Sequence, residues 1–159
     1  MRAFIRSRGL FVAEFEPAEA ELLSALASQV AQLLAERADG EPDPAIARLL
    51  PEAYPDDAEA SAEFRRFTTD DLADRKIFNA RQLAHDLAGA SAATSVTKVQ
   101  LGVQSASAWL KALTDIRLTI ANRLGIENDN DVGSGEPALL DLYDWLGFVQ
   151  GSLIDTVDK

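Results

Sequence analysis

The side chains able to carry acid–base, metal or nucleophilic chemistry are few and scattered. His85 is the only histidine and the chain has no cysteine. One chain therefore cannot build a His-rich zinc or iron site, a thiolate metal site, a cysteine nucleophile or a disulfide. His85 stands beside Asp86 in a helical stretch, the setting of a partly exposed histidine. No glycines fall into the spacings G-x-x-x-x-G-K-[ST] or G-x-G-x-x-G, which excludes the loops that cradle nucleotide phosphates. No spacing suggests a nucleophile, a base and an orienting group converging as a triad. The run from Asn128 to Gly133 invites alignment with a calcium loop. With Gly133 at the sixth position, Val132 and Leu139 would have to be ligands, so the match fails. Neither a cofactor nor a metal nor an enzymatic activity is expected.

What remains is a set of cations. Arg65, Arg66, Arg75, Lys76 and Arg81 crowd one stretch that also holds Phe64 and Phe67, and they form the most plausible surface for an acidic partner. Arg117 lies between Ile116 and Leu118 on or beside an apolar helical stripe. A guanidinium there needs a carboxylate or several carbonyls. Asp144 on the last helix, or Asp115, would make a structural ion pair locking two helices; an exposed ligand contact is the other possibility. Trp109, Trp145 and Tyr54 are expected in the core rather than around a ligand.

The elements that must position these residues follow from periodicity. Residues 2–6 and 10–15 are aromatic and β-branched, with Gly9 between them to supply a positive φ, and predict a β-hairpin. Pro17 opens a helix whose apolar residues run from Leu22 to Leu34 at helical spacing, ending by Arg37. Asp39 to Pro42 stops it. A short helical turn follows from Pro44 to Leu50. Pro55-Asp56-Asp57 opens a further segment that ends near Phe67, and Thr69 caps a new helix running to about Gly89. Residues 90–97 read as a loop, and 98–101 as a short third strand. The clearest helix spans about Gln104 to Leu124, with Trp109, Leu113, Ile116, Ile120 and Leu124 in one stripe and Gly125 as its C-terminal cap. Pro137 starts the last helix, whose Leu139, Leu142, Leu146, Val149, Leu153 and Val157 share a side. The fold class is mainly α: a bundle of four to five helices with a small N-terminal β-hairpin, in one domain of 159 residues.

Charge bounds the partners. The net charge of −11 opposes broad binding to nucleic acid or anionic lipid. It is uneven, with net −8 over residues 38–74, +5 over 75–124 and −7 over 125–159. The basic middle either pairs its charges internally or offers a face to an acidic partner. The N-terminal MRAFIRSRGL lacks the apolar run of a signal peptide, and no stretch approaches about 20 apolar residues. Cytoplasmic residence without membrane contact is the expectation.

Several phrases together carry a resemblance. Leu49 to Tyr54, Glu63 to Thr68, Trp109 to Leu118 with Arg123 to Ile126, and Tyr143 to Leu146 resemble, in order and spacing, an actinobacterial family long described as a domain of unknown function. That family is now called the AosR type, an oxidative-stress transcriptional regulator. The resemblance runs from the hairpin to the last helix. It implies a regulator that acts through protein contacts, with a sigma factor or other transcription machinery as partner. It also implies a redox switch built on a cysteine pair, which this chain lacks, so no thiol switch operates here. Direct DNA binding is disfavoured because no helix-turn-helix with a basic recognition helix is visible. The competing expectation is a small adaptor or structural module that binds another protein or a small molecule; a homodimer fits either.

Overall fold

The computed structural model describes residues 1–38, 43–51, 61–126, 133 and 135–159, with the backbone alone for 61–65. Its elements are β1 (Arg2–Ser7), β2 (Leu10–Phe15), α1 (Pro17–Ala35), α2 (Pro44–Leu49), α3 (Ser61–Ala92), β3 (Thr97–Leu101), α4 (Val103–Leu124) and α5 (Pro137–Val157). The mainly helical class is as expected, and so are the hairpin and the third strand.

The hairpin turns on Arg8 and Gly9, both at positive φ (52° and 80°), which matches the twist of a two-residue loop to that of its strands. Ser7 faces Leu10 across it, and β2 then pairs antiparallel with β3 from Phe11–Leu101 to Phe15–Thr97. The sheet order is β1-β2-β3. Alternation sends Phe4, Phe11, Ala13, Phe15, Val99 and Leu101 to the buried face. Trp109 of α4 packs against that face, edge-on to Phe4 at 5.9 Å and tilted against Phe15 at 6.1 Å. Its indole N–H donates to Asp86 Oδ2 of α3 at 2.9 Å, which satisfies the one polar atom of a fully buried ring.

A sheet edge leaves backbone groups unpaired, and β1 is an edge strand. α5 lies along it and supplies side-chain hydroxyls in place of a fourth strand. The Phe4 N–H donates to Ser152 Oγ at 3.4 Å, and the Phe4 carbonyl accepts from Thr156 Oγ1 at 2.9 Å.

α1 and α3 pack along one another. α4 is sandwiched between α3 and α5, and α2 is clipped to its C-terminal end. There Asp43 caps α2 through the Ala45 N–H and takes both guanidinium nitrogens of Arg123, at 2.7 and 2.9 Å. Arg123 and that N–H hold the Asp43 carboxyl below its ordinary value. Arg48 of α2 donates to the Ile126 carbonyl, just past the Gly125 cap (φ 72°). One buried cluster draws on every strand and helix, with Leu23, Leu34, Leu49, Leu83, Leu113 and Leu146 among its fully covered members.

Two boundaries differ from the sequence expectation. No helix ends near Phe67: α3 runs without a break through Thr68 and Thr69. Thr69-Asp70-Asp71 has the chemistry of a cap, but neither glycine nor proline lies between 61 and 88, and Arg37 of the α1 end holds Asp70 at 2.5 Å. The same helix passes Gly89 and reaches Ala92, so the expected loop at 90–97 shrinks to 93–96. The stop at 39–42, the segment opened by Pro55 and the acidic run 127–132 fall outside the described residues, as does Tyr54.

Candidate functional site

α3 is the element that carries the cations singled out in the sequence. Its buried stripe is Ala73, Ala80, Leu83 and Leu87. At 100° per residue the diametrically opposite stripe is Phe67, Asp71, Asp74, Phe78, Arg81 and His85, and every one of these is exposed. Phe67 is 69% and Phe78 64% exposed. The packing of the described residues does not account for these two exposed phenylalanines. Scattered apolar residues on a surface are ordinary; aligned aromatics on a face without a partner mark a contact site.

The expected basic group is only partly gathered. Arg66 is exposed 100° round the helix from Phe67; about 22 Å away along the helix, Arg81 lies on this face. Arg75 stands on its flank and pairs with Asp71 at 3.1 Å, a solvated contact. The Arg65 side chain lies outside the described residues. Lys76 points the other way. Its ammonium donates to Asp115 Oδ1 of α4 at 2.6 Å and ties the two helices together.

Asp115 is the residue the sequence reading missed in this role. It is 1% exposed, and its Oδ2 is buried with no partner among the described residues. Burial pushes its carboxyl above the ordinary value, against the opposing pull of Lys76. The main stripe gave no signal: Asp115 stands 100° round α4 from Ile116 and further from Trp109 and Leu113, on the side of the small buried residues Ala108 and Ala112, where α3 comes close enough to cover it. Beside the pair runs a groove of about 420 Å³ between α3 and α4, with Leu72, Phe78, Asn79 and Lys111 on its walls. Lys76 also lines that groove, whereas Asp115 does not.

Arg117 locks α4 to α5, but not by the expected ion pair with Asp144. Asp144 is exposed, because it sits 100° round α5 from the residues that face α4. The guanidinium lies over the Tyr143 ring at 4.4 Å and reaches Gln150 Oε1 at 3.4 Å. Asp115, the other carboxylate considered, belongs to Lys76. The arginine therefore serves a structural role with an aromatic face as its main partner.

A second cavity, about 260 Å³, opens between α1, α4 and α5 and is lined by Leu26, Val30, Leu33, Ile120 and Leu142. Its one cation, Arg123, is already held by Asp43. It is smaller than the roughly 300–1,000 Å³ of typical ligand pockets. Among the described residues no three His, Asp or Glu side chains converge to hold a metal, and no helix is long and apolar enough to cross a membrane.

No curated protein and no solved structure matches the chain. A family model does, over residues 1–157. With nearly its whole length matched, the chain belongs to the family described as Domain of unknown function (DUF2017).

Proposed function

We propose that the chain is a non-enzymatic module that works by protein contact, with the solvent face of α3 as the contact surface. The observation that carries this is the pair Phe67 and Phe78, exposed in line opposite the core and flanked by Arg66, Arg75 and Arg81. An exposed aromatic with arginines around it is the composition of interface hot spots.

The finer form of the proposal rests on the AosR-type resemblance of the sequence. In that form the module is a cytoplasmic transcriptional regulator of oxidative-stress genes, and its partner is a sigma factor or RNA polymerase. Direct DNA contact is not part of it, since Asp71 and Asp74 interrupt the same face. Without cysteine, no thiol switch is part of it.

The test uses the full chain as bait in a lysate of the organism that encodes it, beside a Phe67→Ser, Phe78→Ser variant. Quantitative mass spectrometry should show a sigma factor or polymerase subunit retained by the first bait and lost from the second. Equal recovery of all proteins on both baits overturns the contact-surface proposal. Loss of a protein unrelated to transcription keeps the surface and replaces the regulator with an adaptor.

A further inference from the structure

We infer that the α3 stripe recognises a second copy of this chain, docked antiparallel about a two-fold axis near the level of Lys76. The inference rests on the proposal that this face makes protein contacts, and it names the contact. Phe67, Asp71, Asp74, Phe78, Arg81 and His85 follow one another at intervals of four, three, four, three and four. That is the spacing of one continuous helix face, which a second helix can lie along. Against the described residues every member of this face is exposed.

The charge order fixes the direction. On the stripe itself Asp71 and Asp74 occupy the first half and Arg81 the second, with Arg75 on the flank; Asp70 is held by Arg37, and Arg66 lies 100° round the helix from Phe67. A parallel copy would set Asp71 against Asp71 and Arg81 against Arg81. An antiparallel copy sets the acidic half of each helix against the basic half of the other, twice, as a closed two-fold pair requires. Asp86, further along, is not available to this surface because it accepts from Trp109.

Charge also fixes the register. Placing Phe67 against Phe78 of the second copy would bring Asp71 opposite Asp74, and the two-fold would repeat the clash. Moving the axis to the level of Lys76 places Asp71 opposite Arg81, Phe67 opposite His85 and Asp74 opposite Phe78. Arg81 is long enough to reach both Asp71 and Asp74 of the other copy. The Asp71–Arg75 contact within one chain does not compete strongly, because both side chains are about two-thirds exposed (69% and 64%). From Phe67 to His85 the face is about 27 Å long. One helix pair of that length sits at the low end of specific interfaces, so the dimer is concentration-dependent rather than permanent.

Analytical ultracentrifugation of the full chain tests this with two charge reversals. The unchanged chain should dimerise reversibly with rising concentration. Asp71→Arg places two arginines opposite each other and Arg81→Asp two aspartates, so each variant alone should dimerise at least about tenfold more weakly. Mixed in equal amounts, the two variants present arginines on one copy and aspartates on the other, and the mixture should recover dimer. Both positions are on the surface, and circular dichroism of each variant should match the parent. A chain that stays monomeric to about 1 mM, or a dimer indifferent to either reversal, overturns the inference. So does a mixture that fails to recover. If the chain stays monomeric while Phe67→Ser, Phe78→Ser still loses a captured protein, self-pairing fails and the contact-surface proposal stands. If neither experiment responds, both fall.

Discussion

Arg117 lies flat across α5, its guanidinium carbon 4.4 Å above the Tyr143 ring, and Gly147 one turn on leaves the room it needs. A Cβ built on Gly147 would meet Arg117 Nη2 at 3.2 Å. The two observations are one device: a cation stacked on an aromatic, admitted by a missing side chain.

That coupling predicts a change of sign. Gly147→Ala should destabilise the parent by about 1 kcal/mol, because the guanidinium must shift from its place over the ring while still wedged between α4 and α5. In an Arg117→Met background the obstacle is gone. The same substitution should then stabilise by about 0.5–1 kcal/mol, the ordinary gain of replacing glycine in a helix. Urea unfolding of the four proteins measures the cycle, and equal effects in both backgrounds would sink the account.

Lys76 and Asp115 should likewise be worth more together than apart. Lys76→Met strands a carboxylate that is almost wholly buried and should cost about 3 kcal/mol, toward the lower end of the range for broken buried pairs because Lys76 is itself partly solvated. Removing both charges with Lys76→Met, Asp115→Leu should return stability to within about 1 kcal/mol of the parent. Thermal and urea denaturation check it.

The raised carboxyl of Asp115 gives a pH signature of known sign. Its folded value exceeds its ordinary value of 3.8, chiefly through burial, so the folded state holds the proton more tightly than the unfolded one. Its favourable contribution is complete below 3.8 and is lost as pH rises through the folded value. The stability difference between the parent and Asp115→Asn should therefore shift against the parent as pH rises above about 4. A difference that stays flat, or moves the other way, contradicts the assignment.

The covered sheet edge makes a local prediction. Thr156→Val keeps the shape but removes the hydroxyl that bonds the Phe4 carbonyl in a buried place, and should cost about 1–2 kcal/mol. Amide exchange should quicken along β1 more than in β3, which does not lean on α5. Uniform acceleration across the sheet would mean that α5 covers the edge by packing alone.

The sequence by itself determined the parts whose causes are local. Gly9 and the alternating strands specify the hairpin, Pro17 and Pro137 open their helices, and Gly125 closes α4 with the positive φ that glycine tolerates. Trp109 and its four-three-four-four stripe announce a buried face because spacing along a helix is direction around it. The cations of α3 were visible as a group for the same reason that they did not become one: adjacency in sequence scatters side chains around a helix. Only the tertiary structure decided which of them face solvent, because that depends on where α1 and α4 lie. It joined α3 across the false cap at Thr69, since the ends of neighbouring helices, not a local motif, settle whether a helix continues. It gave Asp115 to Lys76 and Arg117 to Tyr143, although charge counting had favoured Asp144. Arginine's partner is whatever surface packing sets beneath it, and a ring and a glycine backbone, neither carrying charge, leave no mark in a search for opposite signs.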